Sequence, residues 1–278
     1  MKYDLPLACL LMLGAMHTAH AAQPIELLAT ATTSSEPLTL RVRAVEPDGT
    51  SRETSWPATS EVRWLFVRVS GTQENRDAAN LGEIDADGAR RVMPAAAGTA
   101  LVGVDLHTTL EEWNADDATR FARACGNHSL CLDHTLSVRH SVSAATVVEI
   151  ASPAQDAPGP TTNHAAMSKS GQSAEIRPLM DPTRIQGGDL ALRVYVGGEG
   201  VTGAQVRAVH TLSGSVQTVN ADAKGIAIVN VDRAGEWRIE FHTLIPMDEH
   251  WQATSSTLTF VARGKDPAPA TTRAEVQP

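Results

Sequence analysis

Apolar and polar residues alternate with a period of two through most of the second half of the chain. In DLALRVYV, Leu190, Leu192, Val194 and Val196 share one face. In EWRIEFHT, Trp237, Ile239 and Phe241 do the same. AQVRAVH, SVQTVN, IAIVNV and STLTFVA bring the number of short strands to six. The turns between them carry Gly and Asp: Gly197-Gly198-Glu199-Gly200, then ADAKG at 221–225 and DRAG at 232–235. Short alternating strands separated by such turns predict a small antiparallel β-sandwich.

The first half reads as β-rich too. LTLRVRAV places Leu38, Leu40, Val42 and Ala44 on one face, and Pro47-Asp48-Gly49 supplies a turn. VRWLFVRVS (62–70) is apolar on both faces at Leu65 to Val67, which predicts a central strand. Asp85-Ala86-Asp87-Gly88 reads as a hairpin turn; it lacks the third acidic position and the distal Glu of a calcium loop. ALVGVDL (100–106) and VSAATVVEI (142–150) are further strands. One helix interrupts them. Asn114 caps it with Asp117 three residues on, Ala118, Phe121, Ala122 and Cys125 follow at helical spacing, and Gly126 closes it. Residues 23–37 are polar and read as loosely ordered.

The amino terminus changes the compartment. Lys2 precedes an apolar stretch from Leu5 to Met16, and Ala19-His20-Ala21 forms a small-x-small cleavage site, as in a secretory leader. The apolar run is shorter than the roughly 20 residues a membrane span needs, and no later segment is long enough. The expected organisation is a signal peptide at 1–21, an N-terminal β-rich domain with one short helix at 22–150, a linker or long loop at 151–174, a C-terminal β-sandwich at 175–263 and a disordered tail at 264–278. The fold class is mainly β, and the expected location is the periplasm.

Net charge and chemistry narrow the rest. A formal charge of −9 over 278 residues argues against a nucleic-acid partner, because phosphate backbones select basic surfaces. An aromatic content of 4% leaves the cores to Val, Leu, Ile and Ala. Beyond the leader two cysteines remain, Cys125 and Cys131, and in an oxidising compartment an even pair reads as one disulfide. His128 and His134 interleave with them, so a zinc set and a pair of free thiols stay open as alternatives. His242, Asp248 and His250 form a second candidate metal set, since imidazole with carboxylate suits zinc, nickel or cobalt. The alternative makes His242 a strand residue and the other two loop surface. There is no G-x-S-x-G elbow, H-E-x-x-H or phosphate-cradling loop. His107 with Glu111 and Glu112 is a weak acid/base group or the polar cap of the helix region, and Trp56, Trp113 and Trp251 are stacking platforms or core.

Residues 174–206 (AEIRPLMDPTRIQGGDLALRVYVGGEGVTGAQV), NADAKGIAIVNV, AGEWRIEFHT and HWQATSSTLTF resemble a family of bacterial periplasmic proteins of unknown function, often described as nickel/cobalt-uptake periplasmic components. The resemblance extends back through GTALVGVDLH and VRHSVSAATVVEI. It implies a signal peptide, an N-terminal β-rich domain, a C-terminal sandwich of immunoglobulin-like or collagen-adhesin-repeat type and no known enzymatic reaction. It further implies nickel or cobalt as cargo and a membrane transporter component as partner. Such proteins often begin, once cleaved, with a histidine; here the start is Ala22-Gln23-Pro24-Ile25-Glu26, with His20 inside the leader. The expectation is a non-enzymatic accessory or binding protein with no certain cofactor. The alternative is an interaction module that binds a protein or glycan without metal.

Overall fold

The computed structural model describes residues 23–30, 33–46, 49–70, 76–77, 84–152 and 164–264. The expected leader, the Pro47-Asp48 half of one turn, residues 153–163 of the expected linker and the tail from 265 lie outside the described residues.

The chain is mainly β. Its first half contains β1 (Ile25–Thr30), β2 (Leu38–Val45), β3 (Ser51–Glu53), β4 (Val62–Val69), β5 (Arg76–Asp77), β6 (Arg90–Val92), β7 (Gly98–Leu106), β8 (Thr109–Trp113), α1 (Ala115–Ala124) and β9 (Leu136–Ile150). The second half contains α2 (His164–Met167), β10 (Ala174–Pro178), a 3₁₀ turn (Pro182–Arg184), β11 (Gly188–Val196) and β12 (Glu199–Gly200). It continues through β13 (Gln205–His210), β14 (Ser215–Asn220), β15 (Ile226–Val231), β16 (Gly235–Pro246) and β17 (Trp251–Ala262).

One long sheet, ordered β14-β13-β16-β17-β9-β7-β4-β5 with β8 also on β9, forms the middle layer. Its pairings are antiparallel except β17 with β9, which run parallel from Trp251↔Val138 to Phe260↔Val147. The 22–150 and 175–263 segments therefore meet inside a single sheet. A C-terminal sheet, with β10, β12 and β15 all on β11, covers one face; an N-terminal sheet, β1-β2-β3 with β6 on β2, packs on the other. Leu190, Leu192, Val194, Val229 and Val231 meet Trp237, Ile239, Phe241, Leu258 and Phe260 in the first core. Leu27, Leu38, Leu40 and Val42 meet Val102, Val104, Val142 and Val148 in the second.

Period-two geometry explains why the middle strands are apolar on both faces. Leu65, Val67 and Val69 of β4 enter the second core while Phe66 enters the first. β4 is buried because a layer lies on each side, not because it is central: among the described residues only the two-residue β5 lies outside it. Gly103 is needed opposite Phe66, since a Cβ there would stand 2.4 Å from the ring.

The helix forms as its caps predict. Asn114 accepts from the Asp117 amide at 2.9 Å and Gly126 takes φ +84°. Its buried Ala118 packs with Trp113, Leu136, Val138 and Ala253, and Phe121 joins them. One expectation changes. Residues 25–30 are a strand rather than loose chain, because Ile25 and Leu27 reach the second core. Residues 168–173, expected within a linker or long loop, run as a loop pinned to the middle sheet. Gln172 Nε2 donates to the carbonyls of Val104 (2.9 Å) and Ala144 (3.0 Å), and Asp105 accepts from Ser143, Ser173 and Arg63.

Candidate functional site: a cleft where two sheets meet

Among the described residues strand β1 is an outer strand of its sheet, paired with β2 alone. Val45 N donates to Pro24 O and the register sets Ile25 opposite Ala44. The hydrogen-bonded pairs are therefore Glu26/Arg43, Leu28/Arg41 and Thr30/Thr39, and the carbonyls of Ile25, Leu27 and Ala29 point away from β2. β17 supplies partners for two of them: Thr257 Oγ1 donates to Ile25 O at 2.6 Å, and Thr259 Oγ1 donates to Leu27 O. An unpaired strand edge is so laid on the face of the middle sheet.

Beyond Leu27 this seam opens into a cleft of about 390 Å³. β1 contributes Leu28, Ala29 and Thr30; β2 contributes Thr39, Arg41 and Arg43; β9 contributes Thr146 to Glu149; β16 and β17 contribute Glu236, Thr259, Phe260 and Val261, with Arg263 just after. Alternation puts Leu38, Leu40 and Val42 in the core, which leaves the β2 residues between them to line the wall. Five charged groups stand around an apolar floor. Arg263 donates to Glu149 at 2.6 Å, and Arg41 donates to Asp87 O at 3.3 Å.

One end of the cleft is closed by a buried ion network. Arg238, 1% exposed, donates through Nε to Glu240 (3.0 Å), through Nη1 to Glu26 (3.2 Å) and Ser51 (2.6 Å), and through Nη2 to Gly49 O (2.7 Å). Arg207 donates to the second Glu240 oxygen at 2.6 Å. Arg43 bridges Glu26, Glu53 and Glu236 at 3.1 to 3.3 Å. Burial pulls the Arg43 guanidinium down, but Glu236 and Glu26 beside it more than offset this and hold it above its ordinary value. Arg43 and Glu236 thus belong to the network and to the cleft wall.

The residues singled out from the sequence fall elsewhere. His242 is buried in mid-strand, where its Nδ1 lies 3.1 Å from Ser255 Oγ; His140 Nε2 lies 3.0 Å from the same hydroxyl. A serine has one proton to give, so one ring must donate. His140 Nδ1 is buried without a partner, and a bare lone pair costs less there than an orphaned N–H. The order His140 Nε2–H to Ser255 to His242 Nδ1 follows. Burial lowers the pKa of both rings, that of His140 to about 4, so both are neutral. Phe121 covers the pair, with ring centroids 5.5 and 5.4 Å away.

Asp248 and His250 lie in the turn between β16 and β17, whose Met247 amide donates to His250 O at 2.9 Å. Four strand residues, roughly 13 Å at ~3.3 Å per residue, separate His242 from the strand end at Pro246. The three candidates are not brought together, and among the described residues no group of three His, Cys, Asp or Glu side chains is gathered as a metal needs. Cys125 and Cys131 are free cysteines, the first half-buried with its thiol pushed up to about 12 by burial, the second exposed. His128 and His134 are exposed, and His134 pairs with Asp133 at 2.8 Å. Glu111 accepts from Trp113 Nε1 at 2.7 Å, His107 is exposed, and Trp113 and Trp56 are core residues.

Sequence reasoning passed over the cleft because its charged members alternate with core residues and so read as a solvated face. The one available signal was the recurrence of Arg and Glu on that face of RVRAV and EWRIE.

A family model described as Domain of unknown function (DUF4198) matches residues 113–244. No curated protein matches the chain. Among solved structures, the BSP domain of a Biofilm associated protein is similar at 13% identity and a TM-score of 0.21, covering 88% of this chain and 30% of that one. The D00-D0 domain of Intimin is similar at 12% identity and a TM-score of 0.20, covering 85% and 99%. This chain thus spans less than a third of the biofilm protein's length. Among the described residues no helix is long and apolar enough to cross a membrane.

Proposed function

We propose that this is an exported, non-catalytic binding module that takes an extended segment of a partner protein into the cleft beside β1. One observation carries the reading. The outward carbonyls of Ile25 and Leu27 are met by threonine hydroxyls, whereas Ala29, next along the same edge, lies in the cleft. A strand edge that stops being covered where a cleft opens suits addition of a further extended chain, with side-chain pockets alongside for specificity. Arg41, Arg43 and Arg263 against Glu149 and Glu236 would select a segment that carries both signs of charge. A volume of this size, within the roughly 300–1,000 Å³ of ordinary ligand sites, admits a few side chains.

The test is a peptide-display selection against the wild type, counter-selected on Ala29→Pro, which removes the edge N–H. Selected peptides should bind the wild type with micromolar affinity by calorimetry and the variant at least tenfold more weakly. Peptides that bind both equally would sink the reading. The nickel/cobalt role that the family resemblance implies would need a donor set, and His242, Asp248 and His250 do not fit one as placed. Calorimetric titration with Ni²⁺ separates the two readings: submillimolar binding lost in His250→Ala would replace the peptide site with metal delivery.

A further inference from the structure

The outward face of the C-terminal sheet carries a second feature, unconnected with the cleft. Ile176, Leu192 and Val194 point into the first core, so Arg177, Arg193 and Tyr195 stand on the opposite face. Arg177 lies directly across from Arg193 in the β10/β11 register. Lys169 Nζ is 4.8 Å and the Arg193 guanidinium 5.0 Å from the centre of the Tyr195 ring, and Arg177 Nη1 reaches the Tyr195 hydroxyl at 3.5 Å. Three cations thus converge on one aromatic ring in a chain whose net charge is −9.

Their hydrogen-bond acceptors are neutral. Lys169 donates to Gly198 O at 2.7 Å and Arg177 Nε to Met167 O at 2.5 Å; both acceptors are carbonyls. Among the described residues none of the three forms an ion pair. Glu175, opposite Tyr195, has its oxygens taken by the amides of Ser170 (2.6 Å) and Gly171 (3.2 Å). Asp222 feels Arg193 only at a distance. Arg193 donates no hydrogen bond to any described residue, and its Nε is buried without a partner. The glycine-rich turn rims this cluster. A Cβ at Gly200 would come within 3.3 Å of Arg193 Nη2, and one at Gly198 within 3.5 Å of Lys169 Nζ. A side chain at either position would crowd these cations.

We propose that Lys169, Arg177 and Arg193, framed by the Gly197–Gly200 turn, form a binding site for a phosphate-type oxyanion. A tetrahedral oxyanion offers acceptors for the Arg193 Nη donors, which no described residue accepts from, and a countercharge for the three cations. The same chemistry occurs in free phosphate and in an anionic lipid head group. At low ionic strength, titration of the purified protein with inorganic phosphate, followed by ¹H–¹⁵N spectra, should shift the Arg193 Nε–H and Gly198 signals saturably, with a low-millimolar Kd. The exposed Lys169→Gln should weaken this severalfold and Lys169→Gln with Arg193→Gln at least tenfold, while Arg120→Gln on α1 leaves it unchanged. Sedimentation with phosphatidylglycerol vesicles identifies the carrier. Capture of wild type but not of the double variant marks a lipid phosphate; phosphate binding without capture marks the free ion. No saturable shift, or equal affinity in wild type and Lys169→Gln, overturns the proposal.

Discussion

Strand β16 sends Trp237, Ile239 and Phe241 to one side of the middle sheet and Arg238, Glu240 and His242 to the other, and both sets are buried. The first set meets the C-terminal sheet through apolar contact. The second meets the N-terminal sheet and α1 through guanidinium, carboxylate, imidazole and hydroxyl groups. Apolar packing is non-directional and tolerates exchange of like volumes. A buried ion network does not, because removing one member strands the others in a medium that solvates them poorly. The two layers should therefore fail in different ways.

The largest difference should appear with Arg238→Met, which keeps most of the side chain's length and discards the charge. Glu26 and Glu240 lose their shared partner, and the expected cost is about 3–5 kcal/mol in urea unfolding. A loss below about 1 kcal/mol would mean that water fills the place of Arg238 and that the layer is not held by charge.

Acid should act on the same layer and spare the other. Unfolded, His140 binds a proton near its ordinary value of 6.5; folded, it does so only near about 4. Between these values the unfolded chain holds more protons. Stability is thus complete above pH 6.5 and is lost as pH falls toward 4, by about 1–3 kcal/mol. His242, shifted in the same direction, adds to the slope. Melting temperatures measured across this window should flatten in His140→Leu. An unchanged slope there would assign the pH dependence to other groups.

On the apolar side, Phe241→Leu should cost only about 1–1.5 kcal/mol, with no dependence on pH or salt. A cost equal to that of Arg238→Met would remove the contrast between the layers.

How much of this could be read from the residues follows the same division. β2, the caps of α1 and the inward faces of β11 and β16 were legible because local spacing fixes them: Leu38 to Ala44, Asn114 with Asp117, and Trp237 to Phe241. Arg238 and Glu240 read as the wet side of a strand. Alternation reports which residues share a face, and it cannot report that Glu26, over 200 positions away, waits on that face. Ile25 and Leu27 gave too short an apolar pattern to mark β1. The parallel union of β17 with β9 leaves no local trace, since both strands look like ordinary sandwich members. Of the candidate site residues, His242 was expected on a strand and is there. Its partners His140 and Ser255 come from β9 and from the far arm of the hairpin, which sequence spacing does not bring together.

The smallest predicted effect probes the seam between the layers most directly. Thr257→Val and Thr259→Val each remove a hydroxyl that donates to a β1 carbonyl and keep the shape of the side chain. A buried carbonyl that loses its donor costs roughly 1 kcal/mol. Each single variant should lose about that much, and the pair about twice that if the two bonds act independently. Their consequence for binding should differ. Thr257 lies against Ile25, deep in the seam, whereas Thr259 lines the cleft as well as holding Leu27. Thr259→Val should therefore alter peptide affinity, while Thr257→Val lowers stability and leaves affinity near that of wild type. Hydrogen exchange at the amides of β1 supplies the check: both variants should speed exchange along Ile25 to Ala29 without touching β11. If neither does so, the strand edge is held by its apolar side chains alone, and the two layers are more alike than their residues suggest.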